Sequence, residues 1–109
     1  MTTDVYTVPA DIVSVHDGDT CLADLQLGWW VVRHSAKIRI LGLWCPELSE
    51  PGGAEARDYA RELLPVGSRV TVVSALKPTF DRTLASIRLP GGGDFAGTMI
   101  AAGLGTAER

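Results

Sequence analysis

The sequence predicts a mainly β domain carrying two helices, a five-stranded barrel of the OB type in the order β-β-β-α-β-β-α. Three observations carry this expectation. Short β-branched or alternating segments recur between Gly, Pro and Asp turn signals, a single helical stripe stands between the third and fourth of them, and a short capped helix follows the fifth. Closing such strands into a barrel protects the sheet edges. The 109 residues read as one domain over 1–109, since a chain of this size buries roughly two-thirds of its unfolded surface in one modest core. With 46% apolar and 21% charged residues, the composition is globular and holds no low-complexity tract.

The first strand is "ADIVSV", rich in β-branched residues. "DGDT" after it is a turn signature, in which Gly18 can take a positive φ without strain. From Thr20 onward Cys21, Ala23, Leu25 and Leu27 alternate with Asp24 and Gln26, and Gly28 ends this second strand. "WWVV" and "AKIRILGL", separated by "RHS", read as a long third strand with a break or bulge, bent back on the second as a hairpin. Ile38 and Ile40 take the core face. Lys37, Arg39 and Leu41 share the other face, which turns Arg39 toward a groove or a polar network. Of the tandem indoles, one of Trp29 and Trp30 is expected in the core and the other exposed, where it could stack a base or meet a protein partner.

Pro46 and Pro51 punctuate the loop "CPELSEPGG", and a helix is predicted from about Ala54. Ala56, Tyr59, Ala60, Leu63 and Leu64 form its apolar stripe, and Pro65 and Gly67 stop it. "RVTVVSAL" is the fourth strand and "RTLASIRL" the fifth. Asp94 is the expected N-cap of a second helix with Phe95, Met99 and Ala102 on one side, and Gly103 is its stop.

Charge and targeting signals narrow the function. Ten basic residues stand against thirteen acidic ones, a formal charge of −3, so a general polyanion binder that works by neutralising many phosphates is excluded. Local clusters still matter, because Arg33, Lys37 and Arg39 lie close together. The start "MTTDVYTVPADIV" has no basic n-region or apolar h-region, and no apolar run has the length of a membrane helix. The expectation is a soluble, cytoplasmic protein without a membrane partner, in which Cys21 and Cys45 remain reduced thiols.

Five segments then come in one order: "VHDGDT", "RILGLWCPEL", "GAEARDYARELL", "DRTLA" and "MIAAGLG". With the element pattern, they give a chain that resembles the staphylococcal nuclease (thermonuclease) family over roughly residues 5 to 105. The resemblance implies an SNase-like barrel and hydrolysis of phosphodiester bonds in DNA or RNA. In that chemistry two arginines and a calcium ion stabilise charge developing at phosphorus, while a glutamate activates water. Carried onto this sequence, the arginines are Arg39 and Arg82 and the glutamate is Glu47. Asp19 is the carboxylate metal ligand, Cys45 supplies a backbone carbonyl, Asp17 stands in the outer shell, and Phe80 occupies the position of an aromatic near the nucleotide. The remaining carboxylate ligand falls on Trp44, whose indole offers no oxygen.

The residues themselves leave alternatives open. Arg39 also reads as one half of a structural ion pair with Asp17 or Asp19, Glu47 as a solvated loop carboxylate, Arg82 as a surface partner of Asp81, and Trp44 as packed over the barrel mouth or stacking a base. A module that has lost hydrolysis, and binds single-stranded nucleic acid or a protein, is the alternative function. His16 and His34 have no spacing that assigns them to a metal or a triad.

Overall fold

A computed structural model describes residues 6–74 and 83–107. Its barrel strands are β1 (Tyr6–Asp17), β2 (Thr20–Gly28), β3 (Val31–Ile40), β5 (Arg69–Ser74) and β6 (Thr83–Arg88), and a two-residue β4 (Leu43–Trp44) follows β3. The helices are α1 (Gly53–Leu63) and α2 (Phe95–Ala101), and β7 (Thr106–Ala107) comes last. The sheet closes in the order β1-β2-β3-β6-β5, with β5 returning to β1. All pairings are antiparallel except β3 with β6. This is a mainly β fold built on a closed five-stranded barrel with two helices, consistent with an OB-like barrel. None of the helices among the described residues is long and apolar enough to cross a membrane.

Period-2 alternation explains the barrel wall. Cys21, Ala23 and Leu25 of β2, Ile38 and Ile40 of β3, Val70 and Val72 of β5, and Ala85 and Ile87 of β6 all point into the core. The third strand breaks where "RHS" predicts. Ala23 opposes Ala36 and Leu25 opposes Arg33, so His34 and Ser35 together face Asp24. The Asp24 carboxylate accepts the Ser35 backbone N–H at 2.8 Å and closes the bulge.

α1 plugs one end of the barrel with Ala56, Ala60 and the following Leu64, all buried, while Tyr59 and Leu63 pack half-buried against the core. Its start lies against the preceding loop: a Cβ on Gly53 would fall 1.9 Å from the Glu47 carbonyl oxygen, so a glycine is required there. Asp94 caps α2 as expected, accepting the Gly97 N–H at 2.9 Å. Gly103, at φ 76°, ends it with bonds from its own N–H to Ile100 and from Leu104 to Met99, the Schellman arrangement.

Four readings need correction. Gly18 is absent from the positive-φ positions; what demands glycine is crowding, since a Cβ there would lie 2.8 Å from the Cys45 Sγ and 3.0 Å from the Ala56 Cβ. Trp29 and Trp30 belong to a two-residue turn between β2 and β3 instead of opening a strand, with φ of 55° and 60°, and both are exposed, at 90% and 97%. Leu41 has left the strand for a turn, and Ala102 is exposed beyond the end of α2. The β4–β7 ribbon, pairing Leu43 with Ala107 and Trp44 with Thr106, has no signal in the sequence because two-residue strands are too short to show a period. Both cysteines are free and buried.

Candidate functional site

The turn joining β1 to β2, the last residues of β3, and β4 with the loop after it meet at one end of the barrel. They enclose a cleft of about 240 Å³ lined by Asp17, Asp19, Thr20, Lys37, Arg39, Trp44, Cys45 and Glu47. Six of the residues singled out from the sequence are thereby brought together. Phe80 and Arg82 lie outside the described residues.

Asp19 is the hub. It is only 7% exposed. Its Oδ2 accepts the Cys45 backbone N–H at 3.0 Å and lies 3.1 Å from Arg39 Nη1, and its Oδ1 accepts the Thr20 hydroxyl at 3.3 Å. The Asp19 carbonyl receives the Ile40 N–H at 2.9 Å, so the turn is tied to β3 through backbone as well. Asp17 holds the turn from the other side, accepting the Asp19 N–H on Oδ1 at 3.1 Å.

Burial holds the Asp19 carboxyl above the ordinary range, and the neighbouring Asp17 carboxylate raises it further. The Cys45 N–H and the Arg39 guanidinium act in the opposite sense. The Cys45 thiol is pushed up to about 12 by burial first and then by the two aspartates. It is therefore a packed, unreactive side chain at neutral pH, and what it contributes to the site is its backbone.

Arg39 spans two elements. Besides Asp19, its Nη1 donates to the Leu43 carbonyl at 3.0 Å. The structural ion pair that the sequence leaves open is thus present, and it fixes the guanidinium in the cleft wall. Glu47 is exposed at the rim, its backbone N–H bonded to the Glu50 carboxylate at 2.8 Å. Trp44, 46% exposed, also lines the cleft.

No protein-family model matches the chain, and no curated protein matches it either.

A calcium cage does not fit these donors. Calcium takes six to eight oxygens, several from carboxylates, whereas both Asp19 oxygens are engaged by protein donors and position 44 brings an indole. Among the described residues no three His, Cys, Asp or Glu side chains group as a metal would require.

Lys37 and Thr20 were not picked out as site residues by the sequence. Thr20 opposes Arg39 across the β2–β3 ladder, and Lys37 precedes Arg39 by one strand period. The shared face of Lys37 and Arg39 was visible, and it was the signal for Lys37. Nothing in the sequence marked Thr20 beyond its place at the end of "DGDT".

Proposed function

We propose that this cleft receives a phosphodiester group of a nucleic acid strand and that the chain is a nuclease of the staphylococcal-nuclease type. The observation that carries the reading is the convergence of two cations, Lys37 and Arg39, with Asp17, Asp19 and Glu47 in a single water-accessible cleft. Guanidinium and ammonium donors are what a phosphate requires, and an exposed carboxylate at the rim is placed to accept a proton from an attacking water.

In this reading Arg39, pre-oriented by Asp19 and the Leu43 carbonyl, bears on the phosphoryl oxygens, and Glu47 activates water. Arg82, the residue before Thr83 in sequence, supplies the second guanidinium that the family resemblance implies. No step is assigned to calcium, because the donor set does not suit it.

A second reading has its own support. With Asp19 locked by three protein donors and Trp44 standing where a carboxylate would serve a metal, the same cleft suits a module that holds single-stranded nucleic acid without cutting it. Degradation of single-stranded DNA and RNA, with and without calcium, separates the two. Cleavage by the native protein that disappears in Arg82→Ala and Glu47→Gln supports the nuclease. Binding without cleavage, with cleavage gained in Trp44→Asp, supports the second reading and removes the first.

A further inference from the structure

The cleft does not end at Lys37. A second depression of about 530 Å³ shares Lys37 and Thr20 with it and runs along the outer face of β1 and β2 toward α1. A third of about 260 Å³ continues from Ser14, Val15 and Arg61 to the exposed Val66. The three are neighbours, the first and second sharing Thr20 and Lys37 and the second and third sharing Ser14, Val15 and Arg61.

The first two differ in character. Three of the residues lining the first cleft are carboxylates. The second depression has none: its ionisable side chains, apart from the Cys21 thiol, are Lys37, Arg61 and His16. On a chain with more acidic than basic residues, a carboxylate-free groove with three nitrogen bases is a local reversal of charge.

Local structure explains how these groups come to face the same way. The β1–β2 register shifts between Val15 and Asp17, so His16 is the extra residue of a bulge and is turned out of the ladder. The Val15 carbonyl at that bulge accepts Arg61 Nη2 at 3.3 Å, which draws the guanidinium from α1 across to the strand. Lys37 stands opposite Leu22 on the neighbouring ladder. Leu22, Leu48 and the buried Val15 are the apolar residues lining the same depression.

We propose that this groove is the path of a single nucleic acid strand: Lys37 and Arg61 hold the phosphate adjacent to the one in the first cleft, and the apolar lining receives an unpaired base. The proposal deepens the phosphodiester reading of the first cleft and rests on it for the strand's polarity of charge. Cations beside apolar surface are the chemistry of single-strand recognition, in which backbone charge is neutralised while base faces leave water. A duplex hides those faces. The occupant is therefore unpaired.

The test is binding of fluorescent oligothymidylates, from dinucleotide to hexanucleotide, in the presence of EDTA. It uses the native protein, Lys37→Gln, Arg61→Gln and Arg61→Lys across about 50–200 mM salt. Affinity is expected to rise at least about tenfold from dinucleotide to tetranucleotide in the native protein. Each Gln variant should lose that gain and show a salt slope shallower by about 0.7, the loss of one phosphate contact on a single strand. Arg61→Lys should keep the slope. Thermal unfolding of each variant separates a lost contact from a lost fold, and Lys37→Gln carries the test should Arg61→Gln unfold.

Length-independent binding, or native slopes in folded Gln variants, overturns the groove. Hydrolysis of a dinucleoside monophosphate, which fills the first cleft alone, separates this failure from failure of the nuclease reading. Cleavage with no length effect removes only the groove. Length-dependent binding lost in the Gln variants, without cleavage, removes only hydrolysis.

Discussion

Arg39 Nη1 lies 3.1 Å from Asp19 Oδ2 and 3.0 Å from the Leu43 carbonyl oxygen, so one guanidinium nitrogen joins the β1–β2 turn to β4. The pair is nearly removed from water on the aspartate side. Arg39→Gln leaves that buried carboxylate without its cation, and hydrogen bonds to charged groups of this kind contribute about 1.5–3 kcal/mol. The variant is expected to unfold at lower urea with an unchanged m-value, a loss of about 2 kcal/mol.

Asp19 also sets a pH signature. Its carboxyl is raised above the ordinary value of 3.8 in the folded chain, by burial first and then by Asp17. Between the unfolded and folded values the native state binds the extra proton, so this group's contribution to stability declines as pH rises through that window. Urea midpoints of Asp19→Asn and the native protein, taken at about pH 4 and pH 7, should shift in the variant's favour toward pH 7. Asp11 is held below its ordinary value by its hydrogen bond with Arg69. Its sign is opposite: stability is present above the unfolded value and lost on acidification, and Asp11→Asn abolishes that loss.

Trp44→Asp is expected to create what the donor set lacks. A carboxylate at position 44, beside Asp19 and the Cys45 carbonyl, adds a hard oxygen ligand. Calcium at millimolar concentration should then raise the melting temperature of the variant, because a ligand that binds only the folded state stabilises it by mass action. The native protein should show no such dependence.

Gly18 tests the packing beneath the site. A methyl group there meets Cys45 Sγ at 2.8 Å, Cys45 Cβ at 2.9 Å and Ala56 Cβ at 3.0 Å. Gly18→Ala should cost about 1–3 kcal/mol by overpacking. Adding Cys45→Ala should recover part of it, a coupling that a double-mutant cycle in urea reads directly.

The Trp29–Trp30 turn is strained, with both indoles in the left-handed region where bulky residues are unfavourable. Replacing them as Trp29→Asn with Trp30→Gly supplies residues that tolerate this backbone. Stability should rise by about 1–2 kcal/mol in urea unfolding. A neutral or lower midpoint would mean that the indoles make contacts worth as much as the strain.

Much of this molecule was legible from local pattern. Alternation placed Ile38 and Ile40 inside and Arg39 turned away from the core, "RHS" marked a break or bulge, and Asp94 and Gly103 bounded α2, because each depends on residues a few positions away. The convergence of Asp17, Asp19, Arg39, Trp44, Cys45 and Glu47 was anticipated through a family resemblance and through strand phase. Local pattern failed where distance in sequence was bridged. It offered a dihedral reason for Gly18 where the demand is a steric one, and it split Trp29 and Trp30 between core and solvent although a two-residue turn exposes both.

The sequence by itself determined where the barrel strands and the two helices form and which face of each is apolar, since periodicity and punctuation act within a single segment. Tertiary structure decided the rest. Closing the barrel through a parallel β3–β6 pair, docking β4 on β7 and wrapping α1 under the β1–β2 turn brought the Cys45 N–H and the Arg39 guanidinium onto Asp19 Oδ2. It also set Lys37 at the junction of two depressions. Those outcomes depend on distances between segments remote in the chain, and only packing the core sets such distances.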